Sequence, residues 1–410
     1  MNRITRSLFG LLLAISTTFA QSNKTPDFEK PPTVAWRFKT TQPVFSSPVI
    51  SEGSVYFGGL DSTLYALNVS TGAVQWKIKT NGEIRSTPVI KEGLLYLLGG
   101  NGVLSCIDRL SGKPLWRSVF DPTALFMGER RYDFADYYHS SPVVDEQFIY
   151  FASGNGRVQC VSANGGKLVW SFQTGDIVHN SPVIQEHLLI VGCFDGYVYA
   201  LDKRTGSLVW KFKSIGHQYF PAGEMQGSPA LAGGSVFIGS RDYNFYALNG
   251  NTGHANWNRK FQNGWALAAT TRDTIVYVGT SDDRILLALD VRDGREWWRA
   301  SLKMNVFGGC AFSNGMVYVG TIWGKVFGID ARTGAIGWAF GTDGYQANRS
   351  HYLKEDDTFR DDIGSILKAP PHWIQAEYRM GGIFSTPAVA GDWLVITTTE
   401  GTVYGLKRTP

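Results

Sequence analysis

Residues 200–210 read Ala200-Leu201-Asp202-Lys203-Arg204-Thr205-Gly206-Ser207-Leu208-Val209-Trp210. An apolar run, a Thr-Gly turn and a second run ending on Trp form a hairpin pattern. The unit returns in close variants from Ala66 to Trp76 and from Ile329 to Trp338. Working backwards from Trp76, it begins at Ser46-Ser47-Pro48-Val49 and passes through Val55-Tyr56-Phe57-Gly58 and Leu64-Tyr65-Ala66-Leu67-Asn68. The same order recurs from Ser86 to Trp116, Ser140 to Trp170, Asn180 to Trp210, Gly227 to Trp257, Leu267 to Trp298 and Gly308 to Trp338. Each Trp stands four residues after a glycine, at 72, 112, 166, 206, 253, 294 and 334. That spacing selects Trp298 over its neighbour Trp297.

An eighth segment, Ser385-Thr386-Pro387 through Val403-Tyr404-Gly405-Leu406, reaches Pro410 without a Trp. The missing piece stands at the other end, where Val34-Ala35-Trp36-Arg37-Phe38-Lys39-Thr40 matches Leu208–Ser214 with no repeat before it. Four short strands in each ~40–50-residue unit are the mark of a propeller. A linear solenoid would need atypical polar caps, which a split repeat contradicts. The expected fold is all-β: one eight-bladed β-propeller over residues 34–410, of four-stranded antiparallel blades, with an N-terminal strand completing the last blade.

Composition agrees. Glycine, at 47 of 410 residues, is above the usual share of about 7% and charged residues, at 18%, are below the usual ~25%. An apolar content of 43% excludes disorder over most of the length. Arg3 and Arg6, the apolar run Leu8–Ile15 and Thr18-Phe19-Ala20 read as a signal peptide over residues 1–20, the run being too short to span a membrane. Residues 21–33, polar with three prolines, read as a flexible tether. The 39 Lys and Arg less the two in the signal, against 35 Asp and Glu, leave a net charge of +2 and no electrostatic footprint for nucleic acid. No cysteine lies near the cleavage site to take a lipid, and no other stretch has transmembrane length. An exported monomer, periplasmic or extracellular, is expected.

The run Ala200–Trp210 resembles the tryptophan-docking repeat of the quinoprotein (PQQ-type) eight-bladed propellers. The resemblance covers residues 34–408 apart from three insertions, and implies that Trp36, Trp76, Trp116, Trp170, Trp210, Trp257, Trp298 and Trp338 each dock between neighbouring blades. A large ring beside a Thr-Gly turn fills such a gap with ~150–250 Å² of buried area.

The Ser-Pro strand of each repeat is expected to be innermost, because proline is tolerated on an edge. Three positions before the proline slot stand Phe45, Arg85, His139, His179, Gln226, Ala266, Phe307 and Phe384. One arc of this channel mouth is polar and the other apolar, which suits a small ligand or a partner's side chain. A hydrated rim is the plain alternative. Three insertions follow Trp strands: residues 121–138 with Phe126, Tyr132 and Tyr137, residues 215–225 with Tyr219, and residues 341–382 with Trp373. Equivalent connections share one propeller face, so the three should crowd one mouth as an aromatic contact surface. Packing on one another as a lid is the alternative.

Other chemistry is thin. Asp356, Asp357, Asp361 and Asp362 lack calcium-loop spacing and read as a solvated helix face around Arg360. His139 and His179 occupy equivalent slots, but no metal site is expected without a neighbouring Cys or carboxylate. Cys106 and Cys160 stand in the small Ala slot, Cys193 follows Gly192 and Cys310 replaces a proline, so four buried free thiols are expected.

Two functions follow from the resemblance. A PQQ-dependent alcohol or sugar dehydrogenase would imply adjacent cysteines over the cofactor in many members, calcium held by carboxylate and amide groups, and an Asp base. No two cysteines are adjacent here, and no acidic residue of the rim set accompanies Trp265 or Trp323 as a platform for a flat cofactor. Size is more similar to the BamB-like non-enzymatic propellers, which implies docking to a partner in outer-membrane protein assembly. Those carry a lipidated Cys that this chain lacks near Gln21. An exported protein-binding scaffold without cofactor is the expectation, with the PQQ and calcium enzyme as the alternative.

Overall fold

The computed structural model describes residues 25–120 and 139–410. The expected signal peptide, residues 21–24 of the expected tether, and Phe126, Tyr132 and Tyr137 lie outside the described residues. Strands form eight four-stranded antiparallel sheets arranged as an eight-bladed propeller. In blade one the strands are Val49–Ser51, Ser54–Gly58, Thr63–Asn68 and Val74–Lys79, here called A to D from the axis outwards. The B and C strands are buried almost throughout because both their faces meet neighbouring blades. The D strands alternate between exposed and half-buried, as an outer edge should. Among the described residues no helix is long and apolar enough to cross a membrane.

Closure occurs as the split repeat predicts. Thr33–Lys39 is the D strand of the blade whose A, B and C strands are Ala388–Ala390, Trp393–Thr397 and Thr402–Lys407. Trp36 pairs with Gly405 and Val34 with Leu406, skipping Ala35. The other seven C–D pairs carry the same irregularity one residue from the Trp, as where Ala66 faces Trp76 and Leu67 faces Val74. The Trp therefore always lies over a small residue, which is Cys106 under Trp116 and Cys160 under Trp170.

Seven indoles lean on the next blade. The Nε1 of Trp36 donates to the Val69 carbonyl at 2.7 Å, and a Cβ on Gly72 would stand 2.7 Å from the Trp36 ring. Gly72 has a φ of 70°, so the Thr-Gly turn needs glycine for its conformation and for its contact alike. The pattern repeats up to Trp298, which donates to Ala331 at 2.9 Å against Gly334.

The eighth blade has no C–D turn to offer Trp338, because its C strand runs out to the C-terminus. Trp338 donates instead to the carbonyl of Phe28. Phe28 is wholly buried, its N–H donates to the Tyr318 hydroxyl at 3.0 Å, and its ring meets that tyrosine edge-on at 5.5 Å. Asp27 accepts from the Gly315 N–H at 2.8 Å and from the Ser313 hydroxyl. The described part of the expected tether, residues 25–32, is thus a docked segment that substitutes for a turn. One aromatic residue in a polar, proline-rich stretch is enough to anchor it when a buried slot is waiting.

The insertion at 341–382 folds into three short helices, α1 (Asp343–Tyr352), α2 (Ile363–Ile366) and α3 (Pro370–Arg379). Thr342 caps α1 by accepting from the Tyr345 N–H at 3.1 Å, and Pro370 opens α3, where a missing N–H costs nothing. Between α1 and α2, Leu353 bridges to Phe359 around a turn in which Asp357 has a φ of 64°. The acidic cluster lies in and just after this turn, so the expected helix face is corrected. Its carboxylates are fasteners: Asp357 binds Lys325 and Tyr345, Asp356 lies 3.6 Å from Lys303, Asp361 holds Lys354, and Asp362 holds Arg360.

Candidate functional site at the insertion-bearing mouth

Short A strands bring the expected mouth residues around one axial chamber of about 200 Å³. Phe45, Arg85, His139, His179, Gln226, Phe307 and Phe384 all line it. Blade six departs from the expected register. Its A strand is longer, Ala266–Arg272, with an irregularity between Ala266 and Ala269, and Leu267 rather than Ala266 faces the chamber. Deeper in, A-strand hydroxyls link the blades. The Ser47 N–H donates to Thr87, Thr87 to Ser141, Ser141 to Ser181 and Ser181 to Ser228, over 2.8–3.3 Å. The Gly309 N–H donates to Thr386 and the Thr386 N–H to Ser47, both at 3.0 Å. The relay stops between Ser228 and blade six, where the Ser-Pro motif is missing from the sequence.

The two arcs have different surroundings. Phe45, Phe307 and Phe384 are at most 6% exposed. They belong to one apolar cluster with Trp323, Tyr345, Tyr352, Leu353, Leu367 and Met380, so the insertion at 341–382 roofs this side of the channel. The arc is apolar because it is the floor of a second small core. Under this roof the three rings line the axial chamber. The lid alternative describes this insertion.

In the polar arc His139, His179 and Gln226 are buried as well. Arg85 pairs with Glu83 at 3.1 Å and stacks over Phe45 at 5.1 Å. The rings of His139 and His179 are 5.4 Å apart. Burial, with the electrostatic effect of His179 and Arg85, holds the His139 pKa well below the usual imidazole value. Gln226 accepts from Arg241 Nε and Nη2 at 3.1 and 3.0 Å. Arg241, 3% exposed, also lies over the rings of Phe194, Phe220 and Trp265 at about 5.5 Å each. Sequence reading missed Arg241, which sits in the B–C turn of blade five, where nothing local shows that a side chain points inward.

Of the other predicted contacts, Tyr219 is 71% exposed at the tip of the 215–225 loop and available to a partner. Trp373 is half-buried: it donates to the Leu367 carbonyl at 3.1 Å and meets Trp323 and Phe359 edge-on at 6.1 and 5.4 Å. It is chiefly a roof timber. Beside it, between α3 and the B–C turns of blades six and seven, opens a cleft of about 420 Å³. The four cysteines are buried and unbridged, and burial pushes the thiols of Cys160 and Cys193 up to about 12.

Comparison with known proteins agrees with this architecture. A curated BamB, the outer membrane protein assembly factor of Burkholderia pseudomallei (strain K96243), is 24% identical over 118 residues, which span 29% of this chain and 30% of that protein. The crystal structure of BamB from Moraxella catarrhalis aligns with a TM-score of 0.67 at 14% identity, over 92% of this chain and 99% of that one. The computationally designed Ika8 protein gives 0.67 at 13% identity, over 92% of this chain and 100% of that one. Quinohemoprotein alcohol dehydrogenase ADHIIG from Pseudomonas putida HK5 gives 0.63 at 13%, over 92% and 76%. At these identities a designed protein, an assembly factor and an enzyme share the fold alone. The family described as outer membrane protein assembly factor BamB matches residues 29–131, 100–263 and 282–349, more than half of the sequence, and the chain belongs to that family of PQQ-like propellers.

Proposed function

We propose that this protein is an exported, non-enzymatic propeller that binds other proteins through its insertion-bearing face, in envelope or outer-membrane protein assembly. Export is read from the first twenty residues, and the assembly role from membership of the BamB family. The observation that carries the scaffold reading is the roof. The insertion at 341–382 is built onto Phe45, Phe307 and Phe384, the apolar arc of the channel mouth.

The chemistry around the axis points the same way. A calcium-held quinone needs six to eight oxygen ligands, among them carboxylates. Among the described residues the chamber is lined by no Asp or Glu. Its candidate amide, Asn180, is already committed: Nδ2 donates to the Gly192 and Met225 carbonyls, and Oδ1 accepts from the Gly192 N–H. The lining of this chamber does not fit the group, so we derive no redox step through it.

A photo-crosslinking side chain placed at Tyr219, and separately at Val209 on an outer strand, tests the reading in cell envelopes. Specific capture of a barrel-assembly component from Tyr219 and not from Val209 is expected. Capture from Val209 alone would move the binding face to the blade edges. Stoichiometric PQQ in the purified protein, with dye-linked alcohol oxidation in calcium, would replace the scaffold by the enzyme.

A further inference from the structure

Exposed aliphatic side chains are unevenly spread round the ring. Among the described residues twelve large hydrophobic side chains are exposed. Seven of them stand on the C–D hairpins of three successive blades, two to four, at residues 103–119, 157–173 and 197–213. Six of the seven, Leu110, Leu115, Leu168, Val169, Leu208 and Val209, sit towards the turn end of the hairpins and are 43–72% exposed. The insertions leave from the other end of the D strands. The three hairpins are joined directly: the Trp116 indole donates to the Ala163 carbonyl at 3.2 Å, and that of Trp170 to the Lys203 carbonyl at 3.0 Å. Single exposed leucines are ordinary, whereas a run of them over adjoining hairpins marks a surface that something covers.

Charge is concentrated in the same place. The three hairpins carry nine Lys and Arg against two acidic residues, in a chain with 39 against 35. The matching hairpins of blades five to seven, at 244–260, 285–301 and 325–341, carry seven against four. The two acids, Asp108 and Asp202, accept from N–H groups of their own turns. Arg109 and Lys203 are paired, with Glu52 and Asp145. Lys113, Lys167 and Arg204 are exposed on the same turns and form no ion pair among the described residues. The acids of these blades' A–B turns, Glu92, Glu146 and Glu186, lie nearer the axis.

A cationic rim calls for an anionic partner, and a second copy would set like charges against each other. Composition then separates a protein from a bilayer. Protein interfaces concentrate their energy in Trp, Tyr and Arg, are poor in Lys, and seldom have Leu or Val among their hot spots. This rim presents Leu and Val beside Lys on the convex outer edge of the ring. Aliphatic side chains that enter the boundary between headgroups and acyl chains, flanked by cations that meet anionic headgroups, are the pattern of a membrane-surface element.

We infer that the outer rim of blades two to four docks edge-on against an anionic lipid bilayer. Leu115, Val169 and Val209 enter the headgroup boundary, and Lys113, Lys167 and Arg204 meet the anionic headgroups. The insertion-bearing face, at the other end of the strands, stays open to other proteins, so the contact is independent of the assembly reading.

Co-sedimentation of the purified protein with vesicles tests it, comparing phosphatidylcholine alone with phosphatidylcholine containing phosphatidylglycerol. Binding to the anionic vesicles is expected to be at least about tenfold stronger. Lys113→Glu with Lys167→Glu and Arg204→Glu should weaken it at least about tenfold, and so should Leu115→Gln with Val169→Gln and Val209→Gln. Ile336→Gln with Arg332→Glu, at the blade-seven positions equivalent to Leu208 and Arg204, should leave it unchanged. Equal pelleting with both vesicles overturns the proposal. So does full binding by the aliphatic variant, which would make the contact adsorption by charge alone, and so does an equal loss in the blade-seven variant. Retention on polyglutamate without vesicle binding would give the rim to an acidic protein instead. If the aliphatic variant melts below wild type, Val209→Cys carrying an environment-sensitive dye decides. Its emission should shift to the blue on anionic vesicles, and unchanged emission overturns the proposal. The four native thiols are buried, so the dye reports from position 209.

Discussion

The indole of Trp338 donates its N–H to the carbonyl of Phe28, 310 residues earlier in the chain. The bond gives the last interblade gap what the glycine-bearing C–D turns give the other seven, and it puts a structural load on a segment that looks like a linker. Phe28→Ala should cost about 3–5 kcal/mol, the range for truncating a buried phenylalanine. Lys30→Ala, at the exposed Lys30–Pro410 contact, should cost ~0.5 kcal/mol or less. Paired denaturant curves with unchanged slopes check it, and deleting residues 21–31 should destabilise the ring rather than leave it untouched.

Trp36 and Arg37 are adjacent on the closing strand and should respond very differently. Trp36→Ala removes a 7%-exposed ring from the joint between blades eight and one, at about 3–5 kcal/mol. Arg37 forks onto Asp343 of α1 at 2.8 and 3.0 Å, with both side chains half-exposed. Solvent screening limits such a pair to ~1 kcal/mol or less, so Arg37→Ala should shift the midpoint slightly. A Trp36→Ala protein as stable as wild type would mean that the ends do not close the ring.

Two glycines with similar backbones separate conformation from contact. Gly53 has a φ of 79° and open space where a Cβ would go, so Gly53→Ala should cost only the left-handed conformation, about 1 kcal/mol. Gly334 has a φ of 75° and a Cβ there would stand 2.7 Å from the Trp298 ring. Gly334→Ala should add an overpacking cost of about 1–3 kcal/mol. Equal melting temperatures for the two variants would contradict the docking account.

Replacing residues 343–380 by a tight turn should damage the protein, because it strips the roof from Phe45, Phe307, Phe384 and Trp323. A lowered midpoint and binding of a hydrophobic dye are the expected readouts. Point changes at Tyr219 are the better probe of partner capture, since Tyr219 is exposed and supports little else.

Stability should fall at both ends of the pH scale for identifiable reasons. His139 is held neutral when folded, with its pKa below the usual value, so the unfolded chain takes up the proton first. The stability it contributes is present above about pH 6.5 and is lost as pH falls towards the depressed folded value. His139→Gln should flatten that acid limb. Cys193 shifts the other way, to about 12 by burial. Its contribution is present below the unfolded thiol value of about 8.5 and is lost as pH rises towards the folded one. A thiol reagent at pH 8 should therefore label Cys193 only after denaturation.

The mouth residues were legible because the repeat is a ruler. Once each strand A is aligned on its proline slot, Arg85, His139, His179 and Gln226 fall on one ring, and the chamber gathers all four. The ruler failed at Ala266, where blade six lacks the Ser-Pro motif and an irregular strand turns Leu267 inward. It was silent about Arg241, because a turn residue's inward or outward aim is set by the neighbouring blade. The acidic cluster at 356–362 was misread for a similar reason. Two of its partners, Lys303 and Lys325, come from blades six and seven rather than from the insertion, and a carboxylate that clamps a turn looks the same in sequence as one on a solvated helix.

Eight blades, their order and the closing strand were determined by the sequence alone, because hairpin turns, strand alternation and the glycine–tryptophan spacing are local and recur at a near-constant period. Only the tertiary structure decided how Trp338 is satisfied, what roofs Phe45, Phe307 and Phe384, and where a cleft opens beside α3. Each depends on segments that occur once, outside the repeat. Their docking follows from which buried slot the ring leaves unfilled, and that slot exists only after all eight blades have come together.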